Sequence, residues 1–436
     1  MKHLRIILQC ALSGYFVNSI NAQEQPLKQI SIEDAKNYAV NHNYGVKSLK
    51  ADIEVQEGEI SIARSNFFPK LGIVGGIEVE GAGSDRETAN LGYAYGTLNL
   101  FNGFADQNQN KKAFLLKDIS ESAYRKGESA LRLDVEEMFY KYLHKKKNLE
   151  FLEESLKLNE KHLQSVRKRK ASGLISDSDL MDFELRDSYL RSEINLIKQE
   201  SAEIKLNLVR LMGPELGMNF EPKGALPHLH LEGTLNGYLE QVKSVTEDVL
   251  QTSYKTEAAL MELRSKRSAW LPKVDIGVRF GSLPLDDRYK DKTNSYDAVL
   301  AAQWEFFSGF ETSGQIKKAD AELRKEELAA RQALLSSMAG VETTIRKLQS
   351  IQQRVDLEEK NEERAQRLYR STSSEFNRGI KNGADLKAAE QSLLEAKMRR
   401  AQLKSDFLET KMGLERLYSI PIKVSEFKDN HTKTSD

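Results

Sequence analysis

The chain repeats itself once, at long range. Leu100-Phe101-Asn102-Gly103-Phe104 returns as Phe306-Phe307-Ser308-Gly309-Phe310, Ser172-Gly173-Leu174-Ile175 as Arg378-Gly379-Ile380-Lys381, Asp179-Leu180 as Asp385-Leu386, and Leu211-Met212 as Leu417-Tyr418, all displaced by 206 positions. Upstream, Arg64-Ser65 and Phe68-Pro69-Lys70 match Arg267-Ser268 and Leu271-Pro272-Lys273 at a displacement of 203. The second copy therefore carries three extra residues between Pro272 and Gly309, and an insertion of that kind is tolerated in a loop. A unit of this length used twice is a duplication, not a short solenoid period.

Within each copy the hydrophobic period changes twice. Ser31 to Phe68 permits helix, with Ser31 as N-cap and Asp34 in the first turn. Leu71, Ile73, Ile77 and Val79 then alternate with Lys70, Gly72, Glu78 and Glu80, the two-residue period of a strand with one apolar face. A second strand follows to Phe101, so the first hairpin covers about 70–101 and its duplicate about 273–307. After each Gly-Phe the helical period returns at length. Val135, Met138, Tyr142, Leu149, Leu152, Leu156, Leu163 and Val166 lie on a three-four seam with gaps at Lys145 and Asn159. Phe104 to Ala171 as one helix spans roughly 100 Å at about 1.5 Å per residue, far more than a compact domain needs.

Composition excludes several classes of function. The 65 basic residues balance 65 acidic ones, so the basic excess that meets a nucleic-acid backbone is absent. The single Cys permits no internal disulfide and no cysteine-based zinc site. A phosphate-binding glycine loop, a nucleophile elbow and an HExxH motif are all missing, which points away from an enzyme and from a cofactor. His228 and His230 form a His-X-His pair without a nearby third ligand of matching spacing, so no metal is expected there. Residues 1–22 carry a basic start, an apolar stretch and a small residue before a polar run, the pattern of a secretory signal. The rest divides into a first repeat at 23–212, a linker rich in Pro and Gly at 213–230, a second repeat at 231–420 and a polar tail at 421–436.

The hairpins suit a membrane. Strands of about ten residues with one apolar face match a bilayer crossing, but about eight strands are needed to close even a filled barrel. Four per chain must therefore be pooled by several chains. Glu78, Glu80, Lys273, Asp275 and Arg279 are then expected in the water-filled interior, with Tyr93, Tyr95, Phe101, Trp304 and Phe306 toward interfacial girdles.

The duplicated order of helix, Phe-Pro-Lys, hairpin, Asn-Gly-Phe, long helix, Gly-Leu and helix, over residues 31 to about 420, resembles the TolC family of outer-membrane efflux and secretion channels. The resemblance implies a mainly α fold with a β-barrel part: a homotrimeric α-helical barrel of long coiled-coil helices, continued into a shared 12-stranded transmembrane barrel. It also implies a place in the outer membrane of a Gram-negative bacterium, with the helical part in the periplasm. The expected function is the passive exit duct of a tripartite efflux or type I secretion system. Its partners are then a periplasmic adaptor (membrane fusion protein), an inner-membrane pump of the RND, ABC or MFS type, and outer-membrane lipid. A periplasmic coiled-coil adaptor or scaffold is the alternative, for which the heptads alone suffice.

Two helix-to-helix turns, at 171–177 and 377–383, lie at the far end from the membrane in this scheme. The resemblance assigns them to adaptor contact through Gly173-Leu174 and Gly379-Ile380, and glycine there also suits a helix C-terminus. It places a pore constriction at Asp385, although Ala388 stands where a second carboxylate is expected. Asp179 and Asp182 offer compensation in the first repeat, since an acidic ring favours cations. The same acidic residues serve equally as N-terminal helix caps. Lys161 and the run Arg167-Lys168-Arg169-Lys170 read as a solvated helix end that complements the dipole.

Overall fold

The structure, a computed structural model, describes residues 28–426 apart from 83–84, 174–175, 214–216, 218, 246, 283–294 and 420. The expected signal sequence and Leu174 lie outside the described residues.

The first copy begins with a short strand β1 (Lys28–Ile30) and runs through helices α1 (Ile32–His42) and α2 (Tyr44–Ser65), strands β2 (Lys70–Ala82) and β3 (Asp85–Asn102), and helices α3 (Ala105–Ala171) and α4 (Asp177–Met212). Strands β4 (Phe220–Pro222) and β5 (Leu229–Leu231) bridge to the second copy. That copy comprises α5 (Leu235–Val245), α6 (Glu247–Arg267), β6 (Lys273–Ser282), β7 (Ser295–Gln303), α7 (Glu311–Asn377) and α8 (Gly383–Tyr418), followed by β8 (Val424–Glu426). Both long helices have 67 residues and both return helices 36. The duplication extends to register, because Lys70 pairs with Thr97 as Lys273 pairs with Gln303.

Local chemistry accounts for the boundaries. Ser31 accepts the Asp34 amide at 3.2 Å and starts α1 as expected. Each strand is turned into its long helix by a Gly-Phe pair in which both residues are left-handed: Gly103 and Phe104 at φ 59° and 69°, Gly309 and Phe310 at 60° and 69°. Glycine takes that conformation at no steric cost, whereas phenylalanine is strained there. The aromatic rings compensate by packing edge-on, Phe101 with Phe104 at 5.2 Å and Phe307 with Phe310 at 5.6 Å.

The seam is buried as the heptads require. Leu152, Leu163 and Val166 of α3 meet Leu190, Ile194, Ile197 and Phe183 of α4, and Val135 packs with Leu208 and Met212, all nearly solvent-free, and each such side chain contributes about 1.5–3 kcal/mol. The two gaps in the seam are occupied by polar contacts. Asn159 is fully buried and donates to the Phe183 carbonyl at 3.1 Å, and Lys145 pairs with Glu200 at 2.8 Å. Two of the clusters join the copies: Leu394 of α8 packs with Leu152, Leu190, Ile194 and Ile197, and Phe376 and Leu386 pack with Leu163, Val166 and Phe183.

The segment between the copies is not a bare linker. β4 pairs in parallel with β1, and β5 pairs antiparallel with β8, so the crossing and the start of the C-terminal tail hold short strands against the helices. The two hairpins form one antiparallel sheet in the order β2-β3-β6-β7. The second hairpin was expected to reach 307 but ends at Gln303, because β6 begins at Lys273 and offers β7 no partner beyond that pair. β3 continues to Asn102 only through a bulge between Asn99 and Phe101, which returns Phe101 to the side of Val274.

Candidate functional site

Two regions at opposite ends of the long helices hold the residues expected to function. The first is the sheet. By register, Leu71, Gly96, Val278 and Ala298 stand in one row, and Ile73, Ala94, Phe280 and Tyr296 in the next. This face is apolar and open: Leu71 is 80%, Ile73 86% and Tyr296 82% exposed. The other face carries Lys273, Asp275 and Arg279 together. Asn99 donates to Asp275 at 2.8 Å, and the Arg279 Nε donates to Asp297 at 3.0 Å. Glu78 and Glu80 occupy positions of the same face by register, opposite Ala89 and Glu87, and their side chains lie outside the described residues.

Tyr93 and Tyr95 depart from the expected girdle. Tyr95 stands in the row of Gly72, Arg279 and Asp297, on the polar face, where a side chain on Gly72 would come within 2.5 Å of the Tyr95 ring. Alternation decides this, since Tyr95 is one residue out of step with Ala94 and Gly96 on the apolar face. Trp304 and Phe306 lie just beyond β7, both exposed, and the Trp304 indole donates to the Trp270 carbonyl at 3.1 Å. Both edges of the sheet, β2 and β7, have no strand partner among the described residues.

The second region is the pair of helical turns. Gly379 is left-handed at φ 78°; its amide donates to the Phe376 carbonyl at 3.0 Å and the Ile380 amide to that of Glu375 at 2.9 Å. These are the two bonds of a Schellman ending. Gly173 has the same handedness at φ 71°, and a Cβ on either glycine would touch nothing, so glycine serves the backbone here, not space. Ile380 projects into solvent at 66% exposure.

Asp179 and Asp385 close equivalent capping boxes. Asp179 accepts from the Ser176 amide at 3.3 Å while Ser176 accepts the Asp179 amide at 3.2 Å, and Asn382 accepts the Asp385 amide at 2.8 Å while Asp385 accepts in return at 3.4 Å. Both line one cleft of about 330 Å³ together with Arg169, Phe183, Phe376 and Ile380. Asp182 is set differently, since Lys387 of α8 pairs with it at 3.2 Å across the two copies.

Arg169 and Lys387 carry no local sequence signal for the contacts they make. Arg169 belongs to the basic run expected in solvent, yet it donates to the carbonyls of Phe376 and Asn377 at 3.1 and 3.2 Å and lies 4.7 Å over the Phe376 ring. Its neighbours are also engaged, Arg167 with Glu184 and Lys170 with Asp177. The only signal in the sequence was position: the 206 displacement sets the ends of α3 and α7 in equivalent places, where a fork-shaped cation on one meets the C-terminal carbonyls of the other.

Two long helical hairpins, an open sheet of four strands and short helices packed against α3 and α7 define the fold. The sequence model described as Outer membrane efflux protein matches residues 37–214 and 239–418, and the chain belongs to that family of outer-membrane efflux channels. Solved structures share the fold. VceC, an outer membrane protein of Vibrio cholerae, is 15% identical with a TM-score of 0.77 over 88% of this chain and 95% of that one. The CmeC outer membrane channel of Campylobacter jejuni is 12% identical with a TM-score of 0.77, over 88% of this chain and 85% of the other. The MtrE outer membrane channel of Neisseria gonorrhoeae, solved in its open state, is 14% identical with a TM-score of 0.75 over 88% of both chains. No curated protein matches this chain in sequence. The adaptor alternative finds no support in these likenesses. No described helix is long and apolar enough to cross a membrane.

Proposed function

We propose that three copies of this chain assemble the exit duct of a tripartite system, with the sheets pooled into one 12-stranded barrel and the long helices continuing into the periplasm. One observation carries the reading: the sheet has an exposed apolar face and, among the described residues, two edges without strand partners, a form that is costly in water and is relieved by closure in lipid. Edge β7 of one copy pairs with edge β2 of the next, and the apolar rows face lipid. Lys273, Asp275, Arg279, Glu78 and Glu80 then line the lumen.

The turns at the other end receive the adaptor through Gly173, Leu174, Gly379 and Ile380, and the pump of the inner membrane supplies the energy. The constriction is a ring of Asp385 and Asp179 from each copy. Asp182 adds little field, because Lys387 offsets it. Purification from the outer-membrane fraction, followed by mass determination in mild detergent and conductance in a planar bilayer, tests the assembly. A conducting trimer is expected; a water-soluble monomer refutes it.

A further inference from the structure

The fold brings a third ligand to the two histidines. His228 and His230 stand two positions apart on extended chain at β5, so both rings leave the same face, with ring centroids 5.0 Å apart. That face meets α7, which delivers Asp356 from 126 positions downstream of His230. One donor atom from each of the three residues lies within 4.8 Å of the other two. Ligands of a tetrahedral zinc ion, bound at about 2 Å, stand roughly 3.3 Å apart. Closing the set therefore asks the donor atoms to approach by at most about 1.5 Å, a shift on the scale of side-chain torsions. His228 is only 5% exposed and the other two are half-buried, so the site is sheltered from bulk water.

A supporting residue is in place. Gln352, one turn before Asp356, brings its Nε2 within 2.6 Å of the His230 Nδ1, and its Oε1 accepts the Leu231 amide at 3.1 Å. Ligation through the His230 Nε2 asks Nδ1 to donate, so the amide turns its oxygen to the ring and gives up Leu231; a metal-bound histidine usually donates its other ring N–H to such an oxygen, which fixes the ring's orientation.

The duplication shows what the site replaces. The positions 206 before Gln352 and Asp356 are Lys146 and Glu150. In the first copy Lys146 ties α3 to the crossing segment through Glu221 of β4 at 3.0 Å, aided by the Tyr142 hydroxyl at 2.8 Å. The second copy has no lysine at that position and presents two imidazoles and a carboxylate.

We propose that His228, His230 and Asp356 bind one divalent transition-metal ion of the zinc class, which clips the crossing segment to α7. The remaining coordination position is left to water. Because β5 also pairs with β8, one ion secures three separate parts of the chain.

The test uses the full-length protein in detergent, purified without a histidine tag and titrated with Co2+ as an optical stand-in, then with Zn2+ in competition. One Co2+ per chain is expected, with the strong visible bands of low coordination number, bleached by Zn2+. Losing a supporting partner alone costs about 10–100-fold in metal affinity, so His228→Gln, His230→Gln and Asp356→Asn are each expected to weaken binding at least about a hundredfold. Asp356→Asn is nearly isosteric and keeps the test valid if a histidine variant fails to fold. His42→Gln, remote from the site, leaves binding unchanged. No Co2+ uptake, or uptake that Asp356→Asn and the folded histidine variants leave intact, overturns the proposal, and neither result depends on the channel conducting.

Discussion

Arg169 donates to the carbonyl of Phe376 at 3.1 Å and so ties the last turn of one long helix to the last turn of its duplicate. The bond crosses the two copies at the turns, in the cleft that also holds Asp179 and Asp385 of the proposed constriction, where Phe183, Phe376 and Leu386 pack the helices together. Two hydrogen bonds from a charged donor in a partly exposed setting contribute about 1–2 kcal/mol. Arg169→Ala is expected to raise single-channel conductance by loosening the turns. Arg169→Lys is expected to fall between the two, because an ammonium cannot address two carbonyls with a planar fork. Conductance equal to wild type in Arg169→Ala would show that this contact does not limit passage through the proposed constriction.

The duplicated glycines before the long helices are equal in backbone but not in surroundings. Gly103 and Gly309 have φ of 59° and 60°, so alanine at either incurs the left-handed penalty of roughly 1–2 kcal/mol. A Cβ on Gly103 would also stand 2.4 Å from the Ser268 carbonyl oxygen, whereas one on Gly309 meets nothing. Gly103→Ala is therefore expected to destabilise by roughly 1–3 kcal/mol more than Gly309→Ala. Paired denaturant unfolding curves decide it, and equal losses would contradict the crowding.

The sequence carried what repeats and hid what converges. The 206 displacement was legible because α3 and α7 end equivalent seams, and the strand faces were legible because Leu71 and Ile73 alternate with Lys70 and Gly72. Arg169 and Phe376 are far apart in the chain, and nothing local marks a cation that caps another helix. Asp356 eluded reading as a partner of His228 and His230 for the same reason. The bulge before Phe101 left no pattern either, since one extra residue in β3 is visible only against the register of β6.

Burial pushes the His144 imidazole down to about 4, with Lys145 adding to the effect. In the unfolded chain it titrates near the ordinary value of about 6.5. As pH falls through that window the unfolded state takes up a proton that the folded state refuses, so stability is full above about 6.5 and declines toward 4. The largest loss is about 3 kcal/mol per chain. His144→Gln is expected to flatten this acid-side slope. Melting temperatures compared at pH 7 and 4.5 provide the check, and a slope unchanged from wild type refutes it.

Glu390 shows the opposite dependence. It is 4% exposed and burial raises its carboxyl above the ordinary value, against the opposing hydrogen bond from Ser155 at 2.9 Å and the field of Arg186. Between the unfolded and folded values the native state holds a proton that the unfolded chain has released, so stability falls as pH rises through the folded value. Glu390→Gln keeps an acceptor for Ser155 and cannot ionise. The variant is expected to melt higher than wild type at pH 8 and close to it at pH 4. A lower melting point at pH 8 would show that the ionised carboxylate is the stabilising form.

Charge selection at the turns separates capping from conduction. Asp385 closes a capping box with Asn382 and stands 3.9 Å from Lys381, so Asp385→Ala removes both a cap and a charge. Asp385→Asn removes the charge and retains a side-chain acceptor for the cap. Losing the cap costs about 1 kcal/mol, which appears as lower thermal stability in the alanine variant alone. Losing three carboxylates from a narrow ring is expected to lower the preference for cations in both variants, read as a shift of reversal potential in a salt gradient. Lys387→Ala is expected to shift it the other way by releasing the field of Asp182, its partner at 3.2 Å. If the asparagine variant matches wild type in reversal potential while the alanine variant only melts earlier, Asp385 is a cap and the constriction lies elsewhere.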